Sequence, residues 1–182
     1  MRTFRSYKVG SAVLAAGIGL TAVALLPAPL AGAAGKTVQV GNNTAVVVAP
    51  GWSAGKAKAG KLAITHKSPH AVIEIAAFNG VTGTAASSDA TNLSQFITGF
   101  GLTKVKQSNK QSAQIPGGGQ FDSAASITYV GKYQGQALGG VAVEYQNTAT
   151  GDGAFAIVIA EQSDKSKLKK AVNQMFASIA NN

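Results

Sequence analysis

Three stretches of the chain, Ala45–Ala49, Ile73–Phe78 and Ala154–Ala160, are nearly continuous runs of apolar residues. A strand with one wet face alternates apolar and polar residues, because successive side chains point to opposite sides of the sheet. Runs without that alternation belong to strands covered on both faces. The connections near these runs are hairpin-length, which argues for antiparallel pairing, since parallel strands need long crossovers. With one helical segment after the third or fourth strand and another at the C-terminus, the expected fold class is α+β. It is a largely antiparallel sheet of about seven strands sandwiched between helices.

The finer pattern fills in the order. Thr37–Val40 alternates, Gly41-Asn42-Asn43 is a turn, and Thr44–Ala49 returns to Pro50-Gly51. Leu62–Lys67 and Ala71–Phe78 read as a hairpin around Ser68-Pro69, with Glu74 interrupting the second strand; burial beside a lysine or an edge position would explain it. Gly80–Thr84 is loop. Ser87 or Ser88 can cap a helix, with Asp89 favourable in its first turn, a stripe of Leu93, Phe96, Ile97 and Phe100, and Gly101 to end it. Leu102–Gln107 reads as a strand and Pro116–Gly119 as a loop. Phe121–Tyr133, Ala137–Gln146 and Ala154–Glu161 are three further strands, turning at Gln134-Gly135 and over Asn147–Gly153. A closing helix, about Asp164 to Ala180, places Leu168, Val172, Met175 and Ile179 on one face.

Residues 1–33 have the three parts of a cleavable secretory signal peptide: Arg2, Arg5 and Lys8, then the uncharged run Val9–Leu26, then Ala31-Gly32-Ala33 ahead of a cut before Ala34. An uncleaved membrane anchor is the competing reading of the same run; Pro27 and Pro29 and the small-residue site favour cleavage. Residues 34–182 then form a single domain. The leader takes 3 of the 16 basic residues, leaving 13 lysines against 7 acids, a net charge of +6 with no arginine. A nucleic-acid groove calls for arginine, which reads phosphate and guanine in bidentate fashion, so nucleic acid is not an expected partner. Attraction to an anionic cell envelope is. The chain has no cysteine, which excludes disulfides, thiol nucleophiles, cysteine-ligated metals and a lipid-modified cysteine.

Here a resemblance becomes visible. Val47-Val48-Ala49-Pro50-Gly51-Trp52 is similar to the "vPxGW" opening of PsbP-like α/β/α sandwich domains. The late meander from Tyr129 through Gly135 and Gly139-Gly140 to Ala154–Ala160 resembles theirs, as does the helix ending Met175-Phe176-Ala177-Ser178-Ile179. Secreted actinobacterial proteins of the LpqN type share these features, and the likeness spans most of residues 37–180. The chain departs from those lipoproteins in lacking the attachment cysteine. The resemblance implies a non-enzymatic binding or accessory domain and carries over no catalytic residue.

Motifs that promise chemistry fail on inspection. Gly55–Lys61, GKAKAGK, fits a phosphate-binding loop, but Leu62 stands where the magnesium-binding hydroxyl belongs and a strand follows where a helix should. His66 and His70 are spaced for a helical metal pair, yet Pro69 lies between them; solvated turn histidines are the simpler reading, a weak zinc or copper site the alternative. A hydrolase would need Glu74, Glu144 or Glu161 to converge with a histidine. Asp152 and Asp164 have local explanations as turn and helix-start residues. The two sequons, at Asn42 and Asn92, matter only in a eukaryotic secretory pathway. No catalytic residue, metal or cofactor is therefore expected. Trp52 is expected to plug one end of the sandwich; exposed instead, it would anchor a partner beside Lys56, Lys58 and Lys61. Lys165, Lys167, Lys169 and Lys170 open the last helix and oppose its dipole, so helix stability is not their purpose.

The expectation is an exported, non-enzymatic protein of the bacterial envelope or medium, with no membrane anchor once the leader is cut. It would bind a protein or anionic envelope component through Trp52, Lys56, Lys58, Lys61, Lys165, Lys167, Lys169 and Lys170. The alternatives are a carrier for a small apolar ligand or lipid, held between sheet and helix where Gly139-Gly140 leave space, and a hydrolase with an unrecognised site.

Overall fold

A computed structural model describes residues 35–41, 43–80, 99–115 and 119–181. The strands in chain order are β1 (Lys36–Gly41), β2 (Thr44–Val48), β3 (Trp52–Ala54), β4 (Lys61–His66), β5 (Ala71–Asn79), β6 (Thr103–Gln107), β7 (Gln111–Gln114), β8 (Ser123–Tyr133), β9 (Gln136–Gln146) and β10 (Asp152–Glu161). A short 3-10 turn, Gln162–Asp164, leads into a C-terminal helix over Lys165–Asn181. The leader, most of the expected Ser87–Phe100 helix and the Pro116–Gly118 part of its expected loop lie outside the described residues, as does Asn42. Gly99 and Phe100 are helical.

Eight strands form one antiparallel sheet in the order β3-β4-β5-β10-β9-β8-β6, with β7 also on β8. The long β8 carries two short partners end to end: β6 pairs with its Tyr129–Lys132 half and β7 with Ser123–Ser126. The β8–β9 hairpin turns on Gln134 and Gly135, both at positive φ (49° and 84°), the twist that a two-residue hairpin requires. β3 and β7 were not expected. β3 is three residues long after a Pro-Gly turn, and β7 (Gln-Ser-Ala-Gln) has neither alternation nor strand-forming side chains.

One face of the sheet is covered by two elements. The C-terminal helix lays Leu168, Val172, Met175, Phe176 and Ile179 onto Val141, Val143, Tyr145, Ala156, Val158 and their neighbours. The β1–β2 hairpin, a separate two-stranded sheet, brings Val40, Val46 and Val48 into the same core, which includes Leu62, Ile64, Ile73 and Ile75 of β4 and β5. Each such side chain contributes about 1.5–3 kcal/mol when fully buried. Two polar contacts lock the helix in place. The buried Ser178 hydroxyl accepts from the Val47 amide at 2.9 Å, and Tyr145 donates to the Phe176 carbonyl at 3.0 Å.

Among the described residues, the opposite face is covered only in part. A second cluster of Leu102, Ile127, Tyr129, Leu138, Ala142, Ile157 and Ile159 sits over β8–β10. On β5, Val72 and Ala76 are half-buried and Glu74 is exposed. The two-sided reading of the apolar runs therefore holds for Ala154–Ala160 but not for Ile73–Phe78. Ala45–Ala49 owes its apolar character to the hairpin packed under the helix rather than to the main sheet.

Candidate binding site

The β9–β10 ladder pairs Gly153 to Ile157 with Gln146 to Ala142, then Ala160 and Glu161 with Gly139 and Leu138, and skips the two positions between. Gly140 sits in that gap. A Cβ there would lie 1.7 Å from the Val158 carbonyl oxygen, so only glycine fits. Across β8, Tyr129 pairs in register with Gly140, and its hydroxyl donates to the freed Val158 carbonyl at 2.8 Å. Burial, and after it the negative charge of Glu74, pushes the Tyr129 phenol well above its ordinary range. It is therefore a proton donor at any physiological pH. Tyr145 is pushed up by burial alone and plays the same part toward the helix.

On the helix side of this glycine pair lies a cleft of about 50 Å³, lined by Thr128, Gly139, Gly140, Val141, Val158 and Ala160 from the sheet. Lys165, Leu168, Lys169, Val172 and Asn173 close it from the helix. Its wall is almost entirely apolar. Four residues with polar side chains break that surface, Thr128, Lys165, Lys169 and Asn173. The Lys165 amine lies across Gly139, 3.1 Å from where a Cβ would stand. Burial lowers its pKa from the usual 10.5. Thr128 is 7% exposed, and its hydroxyl has no hydrogen-bond partner among the described residues.

The expected site residues are not brought together. Lys165, Lys167, Lys169 and Lys170 open the helix; the last three are exposed, and Lys167 pairs with Asp164 at 2.8 Å. Lys56, Lys58 and Lys61 are exposed at the far edge, on and beside β3 and β4. Three strand spacings, roughly 14 Å, separate β4 from β9. Trp52 corrects the exposed-anchor alternative: it is 8% exposed, belongs to the core, and packs on the His66 ring at 5.0 Å between centroids. His66 in turn is half-buried rather than solvated, its Nδ1 2.7 Å from the Pro69 carbonyl. Among the described residues no three histidines or carboxylates gather as a metal site.

The carboxylates are dispersed. Glu144 pairs in register with Phe155, six residues before Glu161 on β10. At about 3.4 Å per residue that is roughly 20 Å, against about 5–9.5 Å for a glycosidase pair. Glu144 accepts from Gln146 and Glu161 from Gln136. Asp152 accepts from Thr150 and Asn43 in its turn. The cleft itself was legible in Gly139-Gly140. Thr128 was missed, because a lone threonine in a strand has no sequence signal.

An eight-stranded antiparallel sheet under a C-terminal helix, with a separate N-terminal hairpin, can be compared with known folds. The chain is similar to the solution structure of cyanobacterial PsbP (CyanoP) from Synechocystis sp. PCC 6803, with a TM-score of 0.58, 10% identity, and coverage of 83% of this chain and 94% of that one. The fold is PsbP-like. The Saccharomyces cerevisiae Ran-binding protein Mog1p is also similar, with a TM-score of 0.54 and 12% identity over 80% of this chain and 92% of that one. So is LpqN, involved in cell envelope biogenesis of Mycobacterium tuberculosis, at 0.46 and 15% over 77% and 86%. No protein family matches the PsbP-like chain by sequence, and no curated protein does. Among its described residues no helix is long and apolar enough to cross a membrane.

Proposed function

We propose that the chain is an exported, non-enzymatic binding protein, released from its leader and held at an anionic component of the envelope by the lysines that open the C-terminal helix. The observation that carries this reading is the placement of Lys167, Lys169 and Lys170 on one exposed stretch where they cost helix stability. The dispersed carboxylates and the His66 ring held at Pro69 support a binding role over catalysis. Mog1p, with the same fold, is a Ran-binding protein, which supports a protein partner as the other occupant of that face. The test is retention of the purified protein on isolated envelope in rising sodium chloride. Release between about 0.1 and 0.5 M, and weaker retention of the Lys169→Gln/Lys170→Gln double variant, are expected as screening shortens. Retention that ignores both salt and the substitutions would sink the reading.

A second reading, carriage of a small apolar ligand, is favoured by the cleft over Gly139 and Gly140. Its test is native mass spectrometry of the protein taken from its own culture medium: an adduct lost on denaturation is expected, and a bare mass counts against it.

A further inference from the structure

A soluble protein gains nothing by holding an ammonium group over an apolar floor. Lys165 could extend into water, as Lys167, Lys169 and Lys170 do. Instead its Nζ and Cε lie 3.1 and 3.2 Å from the Cβ position of Gly139, and the missing side chain at 139 is what admits them. Lys165 is half-buried; drawing part of an ammonium group out of water without a counter-charge has a cost, and no carboxylate among the described residues pairs with it. A second polar group in the same cleft is also unpaid: the Thr128 hydroxyl, nine-tenths buried, lacks any partner. Buried hydroxyls are almost always hydrogen-bonded, so an orphan on a residue that lines a cavity points to a missing acceptor or donor.

The two groups are placed as a pair. Thr128 stands opposite Val141, and Gly139 is the next residue on the same face of β9, so Thr128 and Gly139 are diagonal neighbours. Such neighbours are about 7–8 Å apart. One carboxylate, with a charge-assisted hydrogen bond of about 2.7–2.9 Å on either side, spans that distance. The ammonium can only donate and the hydroxyl can donate as well as accept, so one carboxylate satisfies both groups and neutralises the cation. Most of the remaining wall is hydrocarbon, from Val141, Val158, Ala160, Leu168 and Val172, with Lys169 and Asn173 also on the helix side.

We infer that this cleft binds a small monocarboxylate, with Lys165 Nζ and Thr128 Oγ1 holding the head group and Val158, Ala160, Leu168 and Val172 receiving a short hydrocarbon tail. The inference rests on the carrier reading and names its ligand class. A space of about 50 Å³ holds roughly three to five waters at about 10–15 Å³ each, which suits a tail of a few carbons. A longer chain would run out through the cleft mouth.

The experiment is titration of the purified protein with butyrate, and separately with n-butanol, while the methyl resonances of Val158, Leu168 and Val172 are followed by NMR. Saturable shifts with butyrate are expected, with butanol about tenfold weaker or more, because a hydrogen bond to a charged group contributes more than a neutral one. Lys165→Met should lose about tenfold of the butyrate affinity and keep that for butanol. Thr128→Val, which preserves shape, should lose about threefold to tenfold. Unaltered amide spectra of both variants guard against misfolding. Equal binding of butanol and butyrate overturns the carboxylate assignment and leaves the carrier reading standing. No methyl shift with either probe overturns both. Butyrate binding that survives Lys165→Met marks an adventitious contact with the surface lysines and overturns the site.

Discussion

The inner strands β8, β9 and β10 and the outer strands β3, β4 and β5 belong to one sheet and obey different rules. The inner trio is buried on both faces, and there the backbone departs from regular pairing: the ladder skips two positions, glycine replaces a side chain, and a tyrosine hydroxyl completes the hydrogen bonding. The outer trio buries one face only and keeps an unbroken register from Lys61–Ala76 to His66–Ala71. Of these two trios, the one with an interrupted ladder is the more deeply buried. A defect in a wet strand can be satisfied by water, whereas one in a buried strand must be satisfied by a named partner. The inner irregularity is consequently the more specific feature, and the cleft lies on it.

The sharpest way to break this contrast is a single methyl group. Gly140→Ala places a Cβ against the Val158 carbonyl and is expected to cost about 4 kcal/mol or to prevent folding. Gly55→Ala on the outer edge meets only an ordinary contact of 3.4 Å and should change stability by under about 0.5 kcal/mol. Urea denaturation measures both, and similar losses would erase the distinction between the regions.

A comparison across one ladder rung comes next. Ile159 of β10 and Val72 of β5 are register partners on the same face, the first buried and the second half-buried. Ile159→Ala should cost about 2–5 kcal/mol and Val72→Ala about 1 kcal/mol. An equal cost would mean that the outer face is covered after all. Smaller again is the hydroxyl pair. Tyr129→Phe leaves the buried Val158 carbonyl without its donor and should cost about 1–3 kcal/mol. Thr65→Val removes an exposed 3.4 Å contact to Ser53 and should cost a few tenths.

The smallest effect is a slope. Because the Lys165 amine is harder to protonate in the folded chain, the unfolded chain binds more protons between that lowered pKa and 10.5. Stability therefore rises with pH across that window and levels off above it. In Lys165→Met the rise should vanish from urea midpoints measured on the alkaline side; an unchanged slope would place its origin at another lysine.

Most of the fold was legible because its signals are local. Apolar runs, Gln134-Gly135 and the Leu168–Ile179 stripe each report on a few neighbouring residues. What was not legible depends on contacts distant in the chain. Whether Ile73–Phe78 is covered on its second face is decided by what packs there, and Glu74 was the one residue in the run that hinted at exposure. Trp52 was legible as a plug at one end of the sandwich, but its packing on the His66 ring was not. The Lys165–Thr128 pair is separated by 37 positions and owes its proximity to Gly139, whose message in sequence is only that something passes close by. The two lysine groups differ in setting: Lys165 and Lys169 line the cleft, and Lys56, Lys58 and Lys61 lie exposed at an edge.

That edge has a consequence for the molecule's behaviour in a crowd. β3 ends the sheet with only three residues, followed at once by Gly55, Lys56 and Lys58, while the opposite edge carries a bulge between Thr103 and Lys106 with Lys104 bent to φ 51°. Open strand edges recruit matching strands from other copies, and short length, bulges and lysines are what discourage it. Lys56 and Lys58 are exposed beside that short edge strand, where positive charge discourages such pairing.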